Sequence, residues 1–144
     1  MAQYTLGAMY ATGIGVPQDD AEAVKWYRLA ADQGLAEAQF NLGLMYDTGQ
    51  GVPQDYAEAG KWYRLAADQG VAEAQLNLGV MCYTGEGVPQ DLVEAYVWLA
   101  VAAAGGFADA VNNRDVVAGK LTPEQLSQGQ KRAGELLEKI GSGK

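Results

Sequence analysis

Apolar and small residues return at three- and four-residue steps along most of this chain, the spacing that lines one face of a helix. Ala38, Leu42, Met45 and Tyr46 mark one such face, and Ala59, Trp62, Tyr63, Ala66 and Ala67 mark the next. Between them Thr48, Gly49 and Gly51 break the pattern. Glycine is costly inside a helix and permissive just beyond its end, so the first helix is predicted to stop there. Pro53 holds Val52 extended and stiffens the approach to the second helix. Asp55 then opens that helix. Its side chain can accept from the backbone N–H of Glu58, whose carboxylate can reach back, as in a capping box. The same pair recurs as Asp19 with Glu22 and Asp91 with Glu94. Gly70 ends the second helix, and Ala72 to Ala74 begin another pair.

The whole two-helix unit repeats. Ala2 to Gly34 aligns with Ala38 to Gly70 at a shift of 36 residues, with 26 of 33 positions identical. A third copy runs from Ala74 to Gly106, and Gly-x-Gly-Val-Pro-Gln-Asp returns at Gly13, Gly49 and Gly85. A period of this length without alternating β-branched runs predicts stacked helix pairs. The expected organisation is three repeats at about 1–35, 36–71 and 72–107 that run into a fourth partial helix, residues 1–112 in all. A C-terminal capping segment follows over 113–144.

Gly7, Gly43 and Gly79 stand inside the first helices, where each costs about 0.5–1 kcal/mol against alanine. Close approach of the paired helix, with a Trp or Tyr packed above, is the physical reason to keep them. The Gly-x-Gly turns follow a helix and lack a closing lysine, so they do not read as phosphate loops. In the third copy Lys61, Tyr63, Arg64, Asp68 and Gln69 give way to Val97, Leu99, Ala100, Ala104 and Gly105. A helix apolar nearly all round is buried on a second side. Thr122, Pro123 and Gln125 look like the start of the element that covers it. The stripe Leu126, Ala133, Leu136, Leu137 and Ile140 predicts a capping helix at about 123–140, ended by Gly141, with residues 141–144 frayed. Phe107 to Val117 reads as a shorter helix in the place of a fourth first helix.

Composition removes several function classes. The chain has no histidine and one cysteine, Cys82, which rules out His-dependent triads and an intramolecular disulfide. Its net charge is -8, without a Lys/Arg cluster, so nucleic acid is not an expected partner. No apolar run approaches the ~20 residues that span a bilayer, so no membrane insertion is expected. Met1 to Tyr10 show neither a basic region nor a signal core. The compartment is left open by the sequence: cytoplasmic as given, and periplasmic or secreted if a signal peptide has been removed upstream. Trp26, Trp62 and Trp98 read as core wedges, Cys82 as a small buried hydrophobe, and the acids as caps or solvated positions. No catalytic residue, metal ligand or cofactor is expected.

In the second copy Ala38, Leu42, Gly43, Tyr46, Gly49, Gly51, Val52, Asp55, Ala59, Trp62, Tyr63, Ala66, Ala67 and Gly70 together resemble the Sel1-like repeat, a branch of the tetratricopeptide-like helical repeats. The resemblance covers about 105 of the 144 residues. The tail from Asn113 through Leu121-Thr122-Pro123-Glu124-Gln125 is similar to the ending of bacterial members. It implies an all-α, right-handed superhelix of helix pairs and a non-enzymatic adaptor that binds proteins or peptides. Cys82 departs from the tyrosine at Tyr10 and Tyr46, and the disulfide-paired branch of the family is not matched.

Positions that differ between copies are released from the packing that fixes the rest. On the first helices these are Tyr4, Phe40 and Leu76; Thr5, Asn41 and Asn77; Ala8, Leu44 and Val80; and Ala11, Asp47 and Tyr83. Their offsets fall on one helical face, which stacking would set side by side as a concave strip. The predicted peptide-binding residues are Tyr4, Ala8, Phe40, Asn41, Leu44, Asp47, Leu76, Asn77, Val80 and Tyr83. Asp47 and the overall charge favour a basic protein or peptide. A structural spacer, or a weak homo-oligomer with an unfilled groove, is the alternative.

Overall fold

The computed structural model describes residues 2–142, all-α, as eight helices packed in sequential pairs. They are α1 (Ala2–Thr12), α2 (Asp20–Asp32), α3 (Ala36–Thr48), α4 (Tyr56–Asp68), α5 (Ala72–Thr84), α6 (Leu92–Ala104), α7 (Ala108–Ala118) and α8 (Pro123–Ser142). Two compact units divide after Ala66, inside α4.

One loop design serves all three repeats and explains why Gly-x-Gly-Val-Pro-Gln-Asp returns in each. Gly49 closes α3 in the left-handed conformation at φ 77°, and its N–H bonds to the Met45 carbonyl. The chain then doubles back. The Asp55 N–H reaches the Tyr46 carbonyl at 2.9 Å, and the Gln54 side chain donates to the Asp47 carbonyl at 2.7 Å. The helix C-terminus, which would otherwise leave carbonyls unpaired, is thus satisfied by the loop it feeds. Gln18 and Gln90 make the same bond to Ala11 and Tyr83. Asp19, Asp55 and Asp91 cap the second helices by accepting from Glu22, Glu58 and Glu94 N–H at 3.0–3.1 Å. The expected reciprocal bond does not form at the first two caps. Glu22 and Glu58 turn instead to Lys25 and Lys61, one turn along, because a cation there offers a charge-assisted partner.

In the first unit the core joins Ala23, Val24, Tyr27, Ala30 and Ala31 of α2 to Ala38, Leu42 and Met45 of α3, with Trp62 of α4. The packing glycines act as expected here. A Cβ on Gly7 would lie 2.7 Å from the Tyr27 ring, and one on Gly43 would lie 2.8 Å from the Tyr63 ring. Each tyrosine can cross its partner helix only where no side chain stands. Gln39 is buried yet satisfied, since its amide donates to the Ala31 carbonyl at 3.2 Å and ties α3 to the end of α2.

In the second unit α5 pairs with α6, and Gln75 repeats that bond to the Ala67 carbonyl. Cys82 is buried and forms no disulfide. Seven residues of α6 are buried, as its apolar circumference predicted. Val97 and Val101 pack against Ala133, Leu136 and Ile140 of α8. Gly129 lets α8 approach the Tyr96 ring, and Arg132 pairs with Glu94. Thr122 and Gln125 form the complete reciprocal box that the Asp19 and Asp55 caps lack.

Four expectations for this unit need correction. Leu99 does not face α8. It takes the place of Tyr27 and Tyr63 and packs over Gly79 on the α5 side, 2.9 Å from where a Cβ would be. Leu137 leaves the α8 stripe and is 39% exposed, because its neighbour Leu136 already occupies the contact. The α8 helix does not stop at Ile140 but continues through Gly141 to Ser142; Gly141 meets no neighbour that would force a turn. Of the residues expected to fray, 143 and 144 lie outside the described residues. Finally, α7 starts at Ala108, with Phe107 in the capping position.

Candidate functional site

In the first unit the variable face of the first helices borders a pocket of about 170 Å³. Packing fixes its geometry. Gly7 admits the Tyr27 ring, and the Tyr4 ring tilts against it at 5.6 Å. The Asn41 amide donates to the Tyr4 hydroxyl at 3.3 Å and also bonds to Tyr27. Burial, and secondarily Tyr4, raises the Tyr27 phenol above its ordinary value near 10, while the Asn41 bond opposes the shift. Tyr27 is therefore a neutral hydroxyl at physiological pH. Ala11, Leu44 and Met45 give the pocket apolar lining, and Asp20 and Gln50 add a carboxylate and an amide.

The second unit holds a pocket of about 130 Å³ lined by Val80, Tyr83, Leu99, Asn113, Val116 and Val117. It is the first pocket repeated two 36-residue periods later. Tyr83, Leu99, Asn113, Val116 and Val117 fall where Ala11, Tyr27, Asn41, Leu44 and Met45 fall in the first unit. The chemistry has changed within the same frame. Leu99 removes a phenol, and Asn113 makes no side-chain hydrogen bond among the described residues. Val80 is 38% and Val116 57% exposed, an apolar rim open to solvent.

All ten residues expected at a binding surface are at least partly exposed, none buried. Asn41 and Leu44 meet in the first pocket, and Val80 and Tyr83 in the second. Tyr4 and Phe40 serve packing as well. Phe40 stacks on Tyr63 with ring centroids 5.9 Å apart. Asp47 accepts from the Tyr63 hydroxyl at 2.8 Å, so part of its hydrogen-bonding capacity is already used. Ala8, Leu76 and Asn77 remain half-exposed on their helices and line neither pocket. Sequence reasoning missed Tyr27 and Leu99, because the comparison between copies that selects the site takes in the first helices alone. It also missed Asp20, Gln50, Asn113 and Val116. The last two carry a usable signal, since they continue Asn41–Asn77 and Leu44–Val80 by one more period into α7.

Among the described residues, no group of His, Cys, Asp or Glu is placed to hold a metal ion, and no helix is long and apolar enough to cross a membrane.

Comparison with known proteins agrees with this architecture. No curated protein matches the chain. Among solved structures it is similar to a protective antigen of uropathogenic Escherichia coli that displays an SLR fold, at 39% identity and a TM-score of 0.80. That match covers 99% of this chain but 30% of the antigen, so the chain spans about a third of its length. A Sel1 repeat protein from Oxalobacter formigenes is 41% identical, with a TM-score of 0.74 over 79% of this chain and 86% of the other. Helicobacter pylori cysteine-rich protein B shares the fold at 22% identity and a TM-score of 0.65, over 77% of this chain and 86% of that protein. Sel1 repeats match at residues 1–35, 36–71 and 72–107, and the chain belongs to the Sel1 repeat family.

Proposed function

We propose that the chain is a non-enzymatic adaptor that binds a protein or peptide on the exposed face of its first helices. One observation carries this reading: each unit holds a pocket at the same position of the repeat, lined in part by residues that vary between copies. Scaffold and recognition are thereby separated. The invariant glycines, caps and loop glutamines hold the frame, and the side chains at Asn41, Leu44, Val80, Tyr83, Asn113 and Val116 are free to change. Small pockets that combine apolar walls with a few polar groups suit single side chains of a ligand.

A random peptide display library selected on the immobilised chain tests this reading. The selected peptides are then titrated against Leu44→Arg, Tyr83→Ala and Lys25→Ala, with circular dichroism to confirm folding. Loss of a true anchor is expected to weaken binding about thirtyfold, or about 2 kcal/mol. Lys25 has a 73% exposed side chain on α2, so its variant should bind normally. If both pocket variants fold and bind every selected peptide at full affinity, the site lies elsewhere.

A further inference from the structure

The first pocket has an electrostatic setting that the second lacks. Through Ala66 every Lys and Arg stands on a second helix: Lys25 and Arg28 on α2, Lys61 and Arg64 on α4. The first helices α1 and α3 carry no cation, and their charged residues are Glu37 and Asp47 alone. Glu37, Asn41, Leu44 and Asp47 follow one another at three- and four-residue steps, so both acids share the face that borders the pocket. Arg28 does reach α3, but it is committed to Tyr46, donating to its hydroxyl and lying over its ring. Tyr46 is two residues on from Leu44, about 200° around the helix. Asp20 lines the pocket itself and has no ion pair or side-chain hydrogen bond among the described residues. One repeat pair later its position is occupied by Leu92, and that of Tyr27 by Leu99.

Resting on the adaptor reading, we infer that the first-unit pocket receives the side chain of a lysine or arginine from the bound polypeptide. The methylenes run along Ala11, Leu44 and Met45, and the cationic head meets Asp20 with the side-chain oxygens of Asn41 and Gln50 as further acceptors. Such a division of apolar stem and charged head is how long cationic side chains settle at surfaces. A carboxylate beside apolar walls attracts a cation more strongly than one in open water, because the local dielectric is lower. The second-unit pocket, with Leu99 in the place of Tyr27 and no acid among its lining residues, suits an uncharged aliphatic group instead.

The test uses the full chain, isotopically labelled, and blocked pentapeptides Ala-Ala-Xaa-Ala-Ala in which Xaa is Lys, Arg, norleucine or Glu. Side-chain amide signals of Asn41 and Gln50 report on the first pocket, and that of Asn113 on the second. The Lys and Arg peptides should shift Asn41 and Gln50, and norleucine should bind there at least fivefold more weakly. Asp20→Asn should lower Lys affinity at least fivefold and leave norleucine unchanged. Glu22→Gln, which removes the same charge from α2 outside the pocket, should have no such effect. Equal binding of norleucine and lysine, or equal effects of the two variants, overturns the inference. If Asn113 responds to norleucine while Asn41 and Gln50 stay silent to every peptide, the cation assignment fails and the adaptor reading survives. Silence at both pockets defeats both.

Discussion

Replacing Tyr63 with alanine should cost about 3–5 kcal/mol, the range for removing a large buried aromatic. Domains of this size are stable by only about 5–15 kcal/mol, so a large part of the folding free energy is at stake. Tyr63 is completely buried. Its ring fills the space that Gly43 leaves open, and Phe40 packs on it from the same helix. Its hydroxyl donates to Asp47. The truncation therefore removes ring packing, opens a cavity and leaves Asp47 without that donor. Two companions separate these effects. Tyr63→Phe keeps the ring and should lose about 1 kcal/mol for the hydrogen bond. Gly43→Ala keeps the tyrosine but drives a methyl group into it. Overpacking typically costs about 1–3 kcal/mol and outweighs the gain of up to ~1 kcal/mol in helix propensity. Urea unfolding of the four proteins gives the ranking directly. A Gly43→Ala variant more stable than the parent would show that the glycine is not held by the ring.

The second large effect is expected from removing residues 121–144. Without α8 the chain exposes Val97 and Val101, both about 2% accessible, together with the half-covered Val93 and Ala100. Each fully buried valine contributes roughly 1.5–3 kcal/mol relative to an exposed one. Repeat arrays also need a polar outer face on their last element to stay soluble. The truncated chain should melt lower and self-associate, visible as a mass increase in light scattering. Ala133→Asp makes the same test without truncation, since it places a carboxylate between Val97 and Val101. A truncated chain that remains monomeric with an unchanged melting temperature would contradict the covering role of α8.

Much of the fold was legible because the repeat supplies its own comparison. A glycine kept inside three first helices has no local benefit, so its persistence pointed to close approach by a facing side chain. The α6 circumference similarly announced a cover before any cover was seen. Other features follow from partners that periodicity cannot name. Glu22 and Glu58 satisfy the capping pattern perfectly in sequence, yet a lysine one turn away competes for each and wins. Leu99 looked like part of an outward apolar surface because the substitution of tyrosine by leucine hides which side the residue faces. The register with Tyr27 and Tyr63 settles its direction. The site was half legible. Variation between copies selects the exposed face, but a pocket also needs its floor. Here that floor is made from Tyr27 and Leu99 of the second helices, outside the variable face.

Hydrogen–deuterium exchange with and without a selected peptide shows whether ligands engage the first helices. Slowed exchange is expected in segments of α1 and α3 around Ala11, Asn41 and Leu44, or of α5 and α7 around Val80, Tyr83, Asn113 and Val116. Exchange in the solvent-exposed parts of α2 and α8 should be unchanged. Protection confined to the second helices and α8, with the first helices unaffected, would contradict that engagement.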